Sequence, residues 1–253
     1  MSSTALDILA IAAHRDDVEQ TCGGTLLKAA QRGRRTGILD LTQGEMGTRG
    51  TADDRAREAA DAAKILGCSW RRALDLPDGR VENTWENRLK VASVIRETRP
   101  RVVILPYWKG RHPDHYTCSV LGYEACFLAG LAKLALSSQP PALSQSDAGG
   151  ALAPHRPFKI IYATLYYDIR PTFVVDISEQ FDQKFASLMA YKSQFSDQEA
   201  GKDIFPAQAE IRTRVDAMAR YYGMLAGVTY GEPFLQKEVG LVEDLLAIPV
   251  KSI

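Results

Sequence analysis

Short apolar runs alternate with amphipathic segments along the first half of the chain. Runs of about four to eight apolar residues predict strands that are buried on both faces. They occur at residues 6–13, 36–41 and 102–105, with a weaker candidate at 72–76. Apolar positions three and four residues apart predict helices between them, over residues 23–31, 53–66 and 86–99. Strands that alternate with helices predict βαβ units and a mainly parallel sheet.

Glycine and proline mark the ends of these helices. Gly33 and Gly67 follow the first two helices as C′ residues, and Pro100 ends the third. A polar, glycine-rich loop is expected at residues 42–51. A second polar loop is expected at 107–116, followed by a helix to about residue 136.

The second half supplies a loop, two more strands and two more helices. Ser, Pro, Ala, Gly and Gln dominate residues 137–157, which predicts a surface loop. Strands are predicted at 159–167 and 172–177, and helices at 179–192 and 207–225. The tail from Gly231 shows no strong pattern.

The length of 253 residues suits a single large domain. We expect an α/β fold of Rossmann-like, three-layer type over residues 1–253. Within it, residues 1–136 form the Rossmann-like core, 137–157 the surface loop, and 158–253 the strands and helices that complete the domain.

Composition excludes several classes of protein. Apolar residues make up 45% and charged residues 25% of the chain, which is ordinary for a globular protein. Lys plus Arg and Asp plus Glu are both 31, so no basic excess favours nucleic acid or an anionic membrane. No apolar run is long enough to span a membrane. The four cysteines form no CxxC pair and predict reduced thiols and a cytoplasmic location.

Three of the four histidines lie where two predicted strands end. The first strand runs into His14, Asp16 and Asp17, and the strand at 102–105 is followed by residues 111–115, with sequence RHPDH. In a doubly wound sheet of order 3-2-1-4-5, strands one and four are neighbours, and ligands bind between their carboxyl ends. The topology therefore brings two segments about one hundred residues apart to one crevice.

Imidazoles and carboxylates in one crevice predict a catalytic metal site. Zinc takes three such protein ligands and leaves one position for water. His14 and Asp17 are three residues apart and supply two ligands, and His112 or His115 supplies the third. Asp16 is then free to act as general base, and the remaining histidine, oriented by Asp114, as general acid or oxyanion donor. A surface hydrogen-bonded pair is the plainer alternative. Such N/O sites also accept Fe²⁺ or Co²⁺.

These motifs resemble the PIG-L/LmbE-like zinc de-N-acetylases, and the resemblance extends over most of the chain. The two His/Asp clusters carry it at superfamily level. Further segments make the bacillithiol-biosynthesis branch the most similar: 13–19, 40–42, 76–78, 111–115, 190–195 and 230–234. The resemblance implies hydrolysis of the acetamide of N-acetylglucosaminyl-malate, one Zn²⁺ per subunit, and a homo-oligomer, often a hexamer.

Residue by residue, the resemblance implies a role for each member of the two clusters. His14, Asp17 and His115 match the zinc ligands, and Asp16 matches the general base. His112 matches the histidine that stabilises the tetrahedral intermediate or protonates the leaving amine. Asp114 matches the carboxylate that orients that histidine. Many family members have Pro where this chain has Arg15, whose side chain either acts near Asp16 or the substrate, or points to solvent.

Substrate contacts are expected from four polar side chains outside the metal set. Arg49, in the glycine-rich loop, suits a carboxylate such as that of malate. Asp78 suits sugar hydroxyls, and Arg111 and Lys192 are further carboxylate candidates. An ordinary solvated side chain is the alternative for each.

The sequence leaves two rival functions open and gives little support to a third. The substrate could be another acetamido sugar, such as a chito-oligosaccharide or an antibiotic precursor. The chain could also bind sugar or metal without turnover, although Asp16 and His112 would then be superfluous. A nucleotide-binding Rossmann protein lacks support, because neither GxGxxG nor GxxxxGK[ST] occurs. Gly23 and Gly24 instead predict close helix–sheet packing.

Overall fold

The computed structural model describes residues 4–136, 151–165 and 167–248. In these ranges seven strands form one sheet of order β3-β2-β1-β4-β5-β7-β6. The strands are β1 Ile8–Ala12, β2 Thr36–Asp40, β3 Trp70–Ala73, β4 Val102–Pro106, β5 Lys159–Ala163, β6 Phe173–Asp176 and β7 Gly231–Leu235. The first five are parallel, and β7 is antiparallel to both β5 and β6. The predicted order 3-2-1-4-5 and the α/β fold class are confirmed.

Helices cover both faces of this sheet. They are α1 Asp17–Thr21, α2 Gly23–Gln31, α3 Ala52–Ile65, α4 Trp85–Thr98, α5 Pro113–Ala129, α6 Phe181–Leu188, α7 Lys192–Phe195 and α8 Gln208–Leu225, with a 3₁₀ turn at Leu245–Ala247. One apolar cluster packs α4 and α5 against the sheet, and a second packs α1 and α2 against the opposite face. The result is the expected three-layer arrangement.

Strand β1 shows why the sheet sits between two layers. Leu9 and Ile11 point to the α4–α5 side, and Ala10 and Ala12 to the α1–α2 side. Side chains alternate between faces with a period of two, so a strand that is apolar at every position is buried on both sides. At Gly24 of α2, an added Cβ would lie 3.0 Å from side-chain atoms of Ile177 and Glu232. The close packing predicted for this glycine pair is thus present at Gly24.

One predicted helix and the predicted tail differ from the structure. The helix expected after residue 116 begins at Pro113 and ends at Ala129, with Gly130 as its C-cap. The tail predicted to lack a pattern contains β7. Residues 137–150 of the predicted surface loop lie outside the described residues, so that segment stays a prediction.

Two further observations concern the environment of the chain. Across the described ranges, no helix combines the length and apolar character needed to cross a bilayer. The four cysteines are free thiols, as expected, and three of them are buried.

Candidate active site

A tight turn at the end of β1 brings His14 and Asp17 together. The backbone N–H of His14 donates to Oδ2 of Asp17 at 2.9 Å, and the N–H of Asp17 donates to the carbonyl of His14 at 3.4 Å. Helix α1 begins at Asp17. The turn leaves Nδ1 of His14 3.4 Å from Oδ2 of Asp17.

The second cluster forms the beginning of α5. His112 is the N-cap, and its ring Nδ1 accepts a hydrogen bond from the backbone N–H of Asp114 at 3.2 Å. Pro113 occupies the first turn, where its missing N–H has no cost. The loop predicted to extend to residue 116 is therefore wrong by one helical turn, and His115 belongs to the helix rather than to the loop.

Donor atoms from these two segments converge, with the two carboxylate oxygens of Asp17 facing one imidazole each. Nδ1 of His14 lies 3.1 Å from Nε2 of His115, which lies 3.2 Å from Oδ1 of Asp17. Ligands held about 2.1 Å from a tetrahedral zinc ion are about 3.4 Å apart, so these spacings fit a divalent ion.

The other nitrogen of His14 supports the same interpretation. Its Nε2 lies 3.1 Å from Oδ1 of Asp78 and 3.3 Å from Oδ2 of Asp114. Histidines that bind metals commonly donate their second N–H to a carboxylate, which fixes the tautomer and leaves the first nitrogen free. The residues present thus fit a metal at Nδ1 of His14.

Among the described residues, two groups of three side chains have donor atoms that all lie within 4.8 Å of one another, one formed by His14, His112 and His115 and the other by His14, Asp78 and Asp114. The second group has a different use. Both carboxylate oxygens of Asp114 accept backbone N–H bonds, from Gly79 at 2.8 Å and Val81 at 3.1 Å, and Met46 donates to Asp78 at 2.9 Å. These carboxylates are held by the backbone to face His14, so we favour Asp17 over them as a ligand.

The cluster is strongly favourable to positive charge. Burial by itself lowers the pKa of His14, but Asp17, Asp114 and Asp78 outweigh it and raise that pKa to about 12. Burial likewise opposes ionisation of Asp17, yet the two facing imidazoles hold its pKa well below the usual range. The concentrated negative charge of these carboxylates is what a divalent cation requires.

Asp16 lies beside the donor atoms with contacts of its own. Its Oδ1 accepts from Nη2 of Arg55 at 2.9 Å, and its Oδ2 accepts from Nε2 of Gln20 at 3.3 Å. Burial raises the pKa of Asp16, and the Arg55 cation offsets this only in part. A carboxylate with a raised pKa is suited to exchange protons near neutral pH.

The ring of His112 lies beside those of His14 and His115, with ring centroids 4.7 and 4.9 Å away. Burial, together with the imidazoles of His14 and His115, lowers its pKa. Because Nδ1 accepts from a backbone N–H, the neutral ring carries its proton on Nε2. The expectation that the Asp114 carboxylate orients this ring is wrong: the backbone N–H of Asp114 does so, and the carboxylate faces His14.

Arg49 does not serve the predicted purpose. It is buried, and its guanidinium donates to four backbone carbonyls, those of Gln194, Ser196, Gln198 and Ala200, at 2.6–3.3 Å. These bonds occupy the donors that a substrate carboxylate would need, so Arg49 instead ties its loop to the segment after α7.

The remaining predicted contacts fall in different places. Asp78 lies against His14 rather than towards a separate sugar site. Arg111 is exposed beside His112, and Lys192 is exposed at the start of α7. Arg15 is buried and donates to the carbonyl of Ala52 at 2.6 Å, so it neither points to solvent nor contacts Asp16.

Two arginines that contact the turn at residues 14–17 were not indicated by the sequence. Arg55 contacts Asp16, and Arg71 contacts the carbonyl of Arg15, the residue that precedes Asp16. Neither belongs to a local motif, and each reaches the site from a distant element. Their burial among charged residues is visible only in three dimensions.

A small cavity adjoins the donor atoms. It has a volume of about 20 Å³ and touches Asp17 and His115. Its other walls are mostly apolar and include Val18, Pro106, Ala163 and Leu165. Since about 10–15 Å³ on this measure holds one water molecule, the cavity suits a group of roughly methyl size.

Comparisons with known proteins identify the family that this chain matches. A family model described as GlcNAc-PI de-N-acetylase (PIG-L) matches residues 9–126, which include both clusters. The diacetylchitobiose deacetylase of Thermococcus kodakarensis is 33% identical over 237 residues, covering 89% of this chain and 80% of that protein.

Solved structures show the same architecture. The conserved protein TT1542 from Thermus thermophilus is 39% identical, with a TM-score of 0.78 over 94% of this chain and 98% of that one. The N,N′-diacetylchitobiose deacetylase of Pyrococcus horikoshii, solved with an inhibitor, is 25% identical, with a TM-score of 0.75 over 90% and 82% of the two chains.

Proposed function

Because this chain belongs to the GlcNAc-PI de-N-acetylase (PIG-L) family of hydrolases, we propose that it removes acetate from N-acetyl-α-D-glucosaminyl L-malate. At the level of reaction class, it is a metal-dependent de-N-acetylase of small GlcNAc-containing compounds. The malate aglycone and the choice of Zn²⁺ are the finer parts of the proposal. They rest on the resemblance of residues 190–195 and 230–234 to the bacillithiol branch, and on the N/O donor set.

One observation carries the reaction type. Nδ1 of His14 and Nε2 of His115 lie 3.1 Å apart, and the two oxygens of Asp17 face them, Oδ2 at 3.4 Å from His14 and Oδ1 at 3.2 Å from His115. Two further groups adjoin them, the carboxylate of Asp16 and the neutral imidazole of His112. A protein that merely held a metal would need neither a second carboxylate with a raised pKa nor a free N–H donor.

The proposed mechanism gives each group one task. A divalent ion held by His14, Asp17 and His115 would activate a water molecule and polarise the acetamide carbonyl. Asp16 accepts the proton of the attacking water, and Arg55 and Gln20 fix the direction of its carboxylate. Nε2–H of His112 donates to the developing oxyanion. Asp16 then returns the proton to the departing amine.

Exposed cations support an anionic aglycone. Lys109 and Arg111 are exposed on the loop between β4 and α5. Lys192 is a third exposed cation. Carboxylates of malate are the kind of group that such side chains bind. Of the four substrate contacts expected from the sequence, only Arg111 and Lys192 stay in this proposal in that role.

We also expect the enzyme to be a homo-oligomer. On α5, four large apolar side chains are 41–55% exposed: Tyr116, Val120, Tyr123 and Phe127. Their spacing places them on one stripe of the helix. An apolar stripe of this kind marks an interaction surface, and light scattering of the purified protein measures the state.

Diacetylchitobiose is the second candidate substrate. It is favoured by the identity of 33% over 89% of the chain to a protein with that activity. A neutral disaccharide would not use the cations beside the crevice. The two substrates therefore differ in one feature, the aglycone carboxylates.

Release of free amine from zinc-loaded protein tests the proposal. N-acetylglucosaminyl-malate, its malate dimethyl ester and diacetylchitobiose are compared at equal concentration. We expect the diacid to have the highest kcat/KM, by at least 10-fold. Equal rates for the diacid and its ester would contradict the malate assignment, and a faster reaction with diacetylchitobiose would favour the second candidate.

The Asp16→Asn variant separates chemistry from metal binding. Because Asp16 is not among the three donors, the variant should retain zinc and lose at least 100-fold in kcat. The control is Asp61→Asn, on the outer part of α3, which should keep both. Near-normal kcat in Asp16→Asn would contradict the role of the general base.

A further inference from the structure

The turn that carries the active-site residues is held by hydrogen bonds to its backbone carbonyls. The carbonyl of Ala13 accepts from the backbone N–H and from the hydroxyl of Thr42, both at 3.0 Å. The carbonyl of Arg15 accepts from Nη2 of Arg71 at 3.1 Å. His14 lies between these two carbonyls, and the Arg15 carbonyl belongs to the peptide that leads into Asp16.

Arg71 lies on β3 with most of its side chain covered and every N–H engaged. Nε and Nη2 form a fork on the carboxylate of Asp40, at 2.9 and 3.0 Å. Nη1 donates to Oε1 of Glu19 at 2.6 Å and to the carbonyl of Ala59 at 3.2 Å. With the Arg15 carbonyl, all five donors of the guanidinium have partners. Its side chain is 9% exposed, and those of Asp40 and Glu19 are 1% and 0% exposed.

This arrangement joins four elements to the turn. Asp40 lies on β2, Glu19 on α1 and Ala59 on α3. A planar guanidinium held at four other points has no freedom to follow a moving acceptor. The position of the Arg15 carbonyl is therefore fixed relative to the sheet.

We infer that Arg71 is a positioning residue of the active site, which sets the spacing of the metal donors His14 and Asp17 and the direction of Asp16. The inference rests on the proposed metal site, and it assigns Arg71 no contact with substrate. The simpler alternative is that Arg71 only neutralises the two buried carboxylates. A lysine would serve that purpose, but its compact ammonium cannot fork on Asp40 and also reach Glu19 and the Arg15 carbonyl.

Arg71→Lys is therefore the informative variant, and Arg72→Lys is its matched control. Arg72 is the next residue, forms an ion pair with Glu97, and has a side chain that is 40% exposed. Zinc affinity is measured by competition with a chromophoric chelator. We expect Arg71→Lys to raise the zinc Kd by about 10–100-fold, the range for residues that orient metal ligands, and the control to leave it unchanged. At saturating zinc, kcat should fall and KM should stay within about twofold.

The zinc Kd decides the inference without any substrate. A Kd within twofold of the control would overturn it, because charge balance would then be the whole role of Arg71. If Arg71→Lys does not fold, Asp40→Asn takes its place, since it breaks the fork and keeps the side-chain volume. It should raise the Kd in the same direction, and an unchanged Kd would again overturn the inference. Wild-type protein that binds zinc and releases no amine would contradict the proposed function alone.

Discussion

At the scale of single residues, the positive charge of Arg55 should influence the pH dependence of the reaction. Its cation lies 2.9 Å from Asp16 and lowers the pKa that burial has raised. Arg55→Gln removes the cation, so the pKa of Asp16 rises further. A general base works only when ionised, and the acidic limb of the kcat/KM profile should therefore move to higher pH.

Measurements of kcat/KM from about pH 5 to about pH 9, a range that spans the neutral region, check this prediction. Arg57→Gln is the control, because Arg57 is two residues away on α3 and pairs with Asp54 at the surface. Its profile should match the wild type. A shift of the acidic limb to lower pH in Arg55→Gln would show that Asp16 is not the group that titrates.

The cavity beside Asp17 and His115 predicts a preference for short acyl groups. A volume of about 20 Å³ accommodates the methyl of an acetyl group and leaves little room for more. One additional methylene should lower kcat/KM by about 10–200-fold. Rates for the N-acetyl, N-propionyl and N-butyryl forms of one sugar measure this.

Leu165→Ala removes side-chain volume from one wall of the cavity. It should reduce the difference in kcat/KM between acetyl and propionyl substrates. The acetyl rate itself should change little. If wild-type protein hydrolyses all three acyl groups equally, the acyl chain lies elsewhere and the cavity has no part in selectivity.

The two His/Asp clusters were within reach of sequence reasoning, and the arginines were not. His14, Asp17 and His115 occupy strand and helix ends, and the order of parallel strands brings those ends together. A sequence shows that an arginine has five N–H donors, but it does not show which acceptors those donors meet. Arg49 was expected to bind substrate, and its donors are taken by backbone carbonyls about 150 residues away.

At the scale of elements, Glu232 of β7 caps helix α2. Its carboxylate accepts from the backbone N–H groups of Gly24 and Thr25 at 2.9 and 2.7 Å, and from the Thr25 hydroxyl at 2.6 Å. Nζ of Lys184 also donates to it at 2.6 Å. Glu232 and Lys184 are both buried. A carboxylate at a helix N-terminus satisfies free N–H groups and meets the positive end of the dipole.

This cap predicts an order of stability between two variants. Glu232→Gln leaves Lys184 buried without a counter-charge and should cost about 3–5 kcal/mol of unfolding free energy. Lys184→Met should cost less, because Glu232 keeps three other donors and the positive end of α2. Urea denaturation of metal-free protein measures both. The reverse order would mean that the ion pair, and not the cap, is the important contact.

Two of the segments that resemble the bacillithiol branch, residues 190–195 and 230–234, make structural contacts. Tyr191 donates to Glu19 at 3.2 Å, Gln194 donates to the carbonyl of Arg49 at 2.6 Å, and Glu232 caps α2. In this chain these side chains therefore brace the elements around the site.

Strand β7 shows where element prediction reached its limit. Gly, Glu and Pro fill the first three of its five positions, a composition that does not favour strands. It forms a strand because β5 and β6 offer it edges on both sides. Only the tertiary fold supplies those partners, so local pattern could not reveal it.

At the scale of the whole molecule, metal removal should lower thermal stability. The carboxylates and imidazoles of the site lie in direct contact and are held in place by β1, α1 and α5. Zinc at 1,000 times its Kd should stabilise the folded state by about 4 kcal/mol. For a chain of this size that corresponds to roughly 10 °C in Tm.

Thermal melts with zinc and with excess chelator measure the difference. His115→Gln removes one donor and should reduce the difference to a small fraction of its wild-type value. A wild-type Tm that does not respond to the chelator would contradict the metal site itself. The same melts with Fe²⁺ and Co²⁺ rank the ions that the site accepts.

The strand order of the sheet also has a consequence for folding during translation. Strand β7 comes last among the described strands, yet it lies between β5 and β6, and β6 at the sheet edge pairs with it. On the ribosome, β6 emerges long before its partner. The nascent protein must hold β5 as an open edge until Gly231–Leu235 has left the exit tunnel. A pause in translation before that point would leave a sheet open to pairing with another chain, so synthesis speed near the end of this sequence should influence its yield of folded protein.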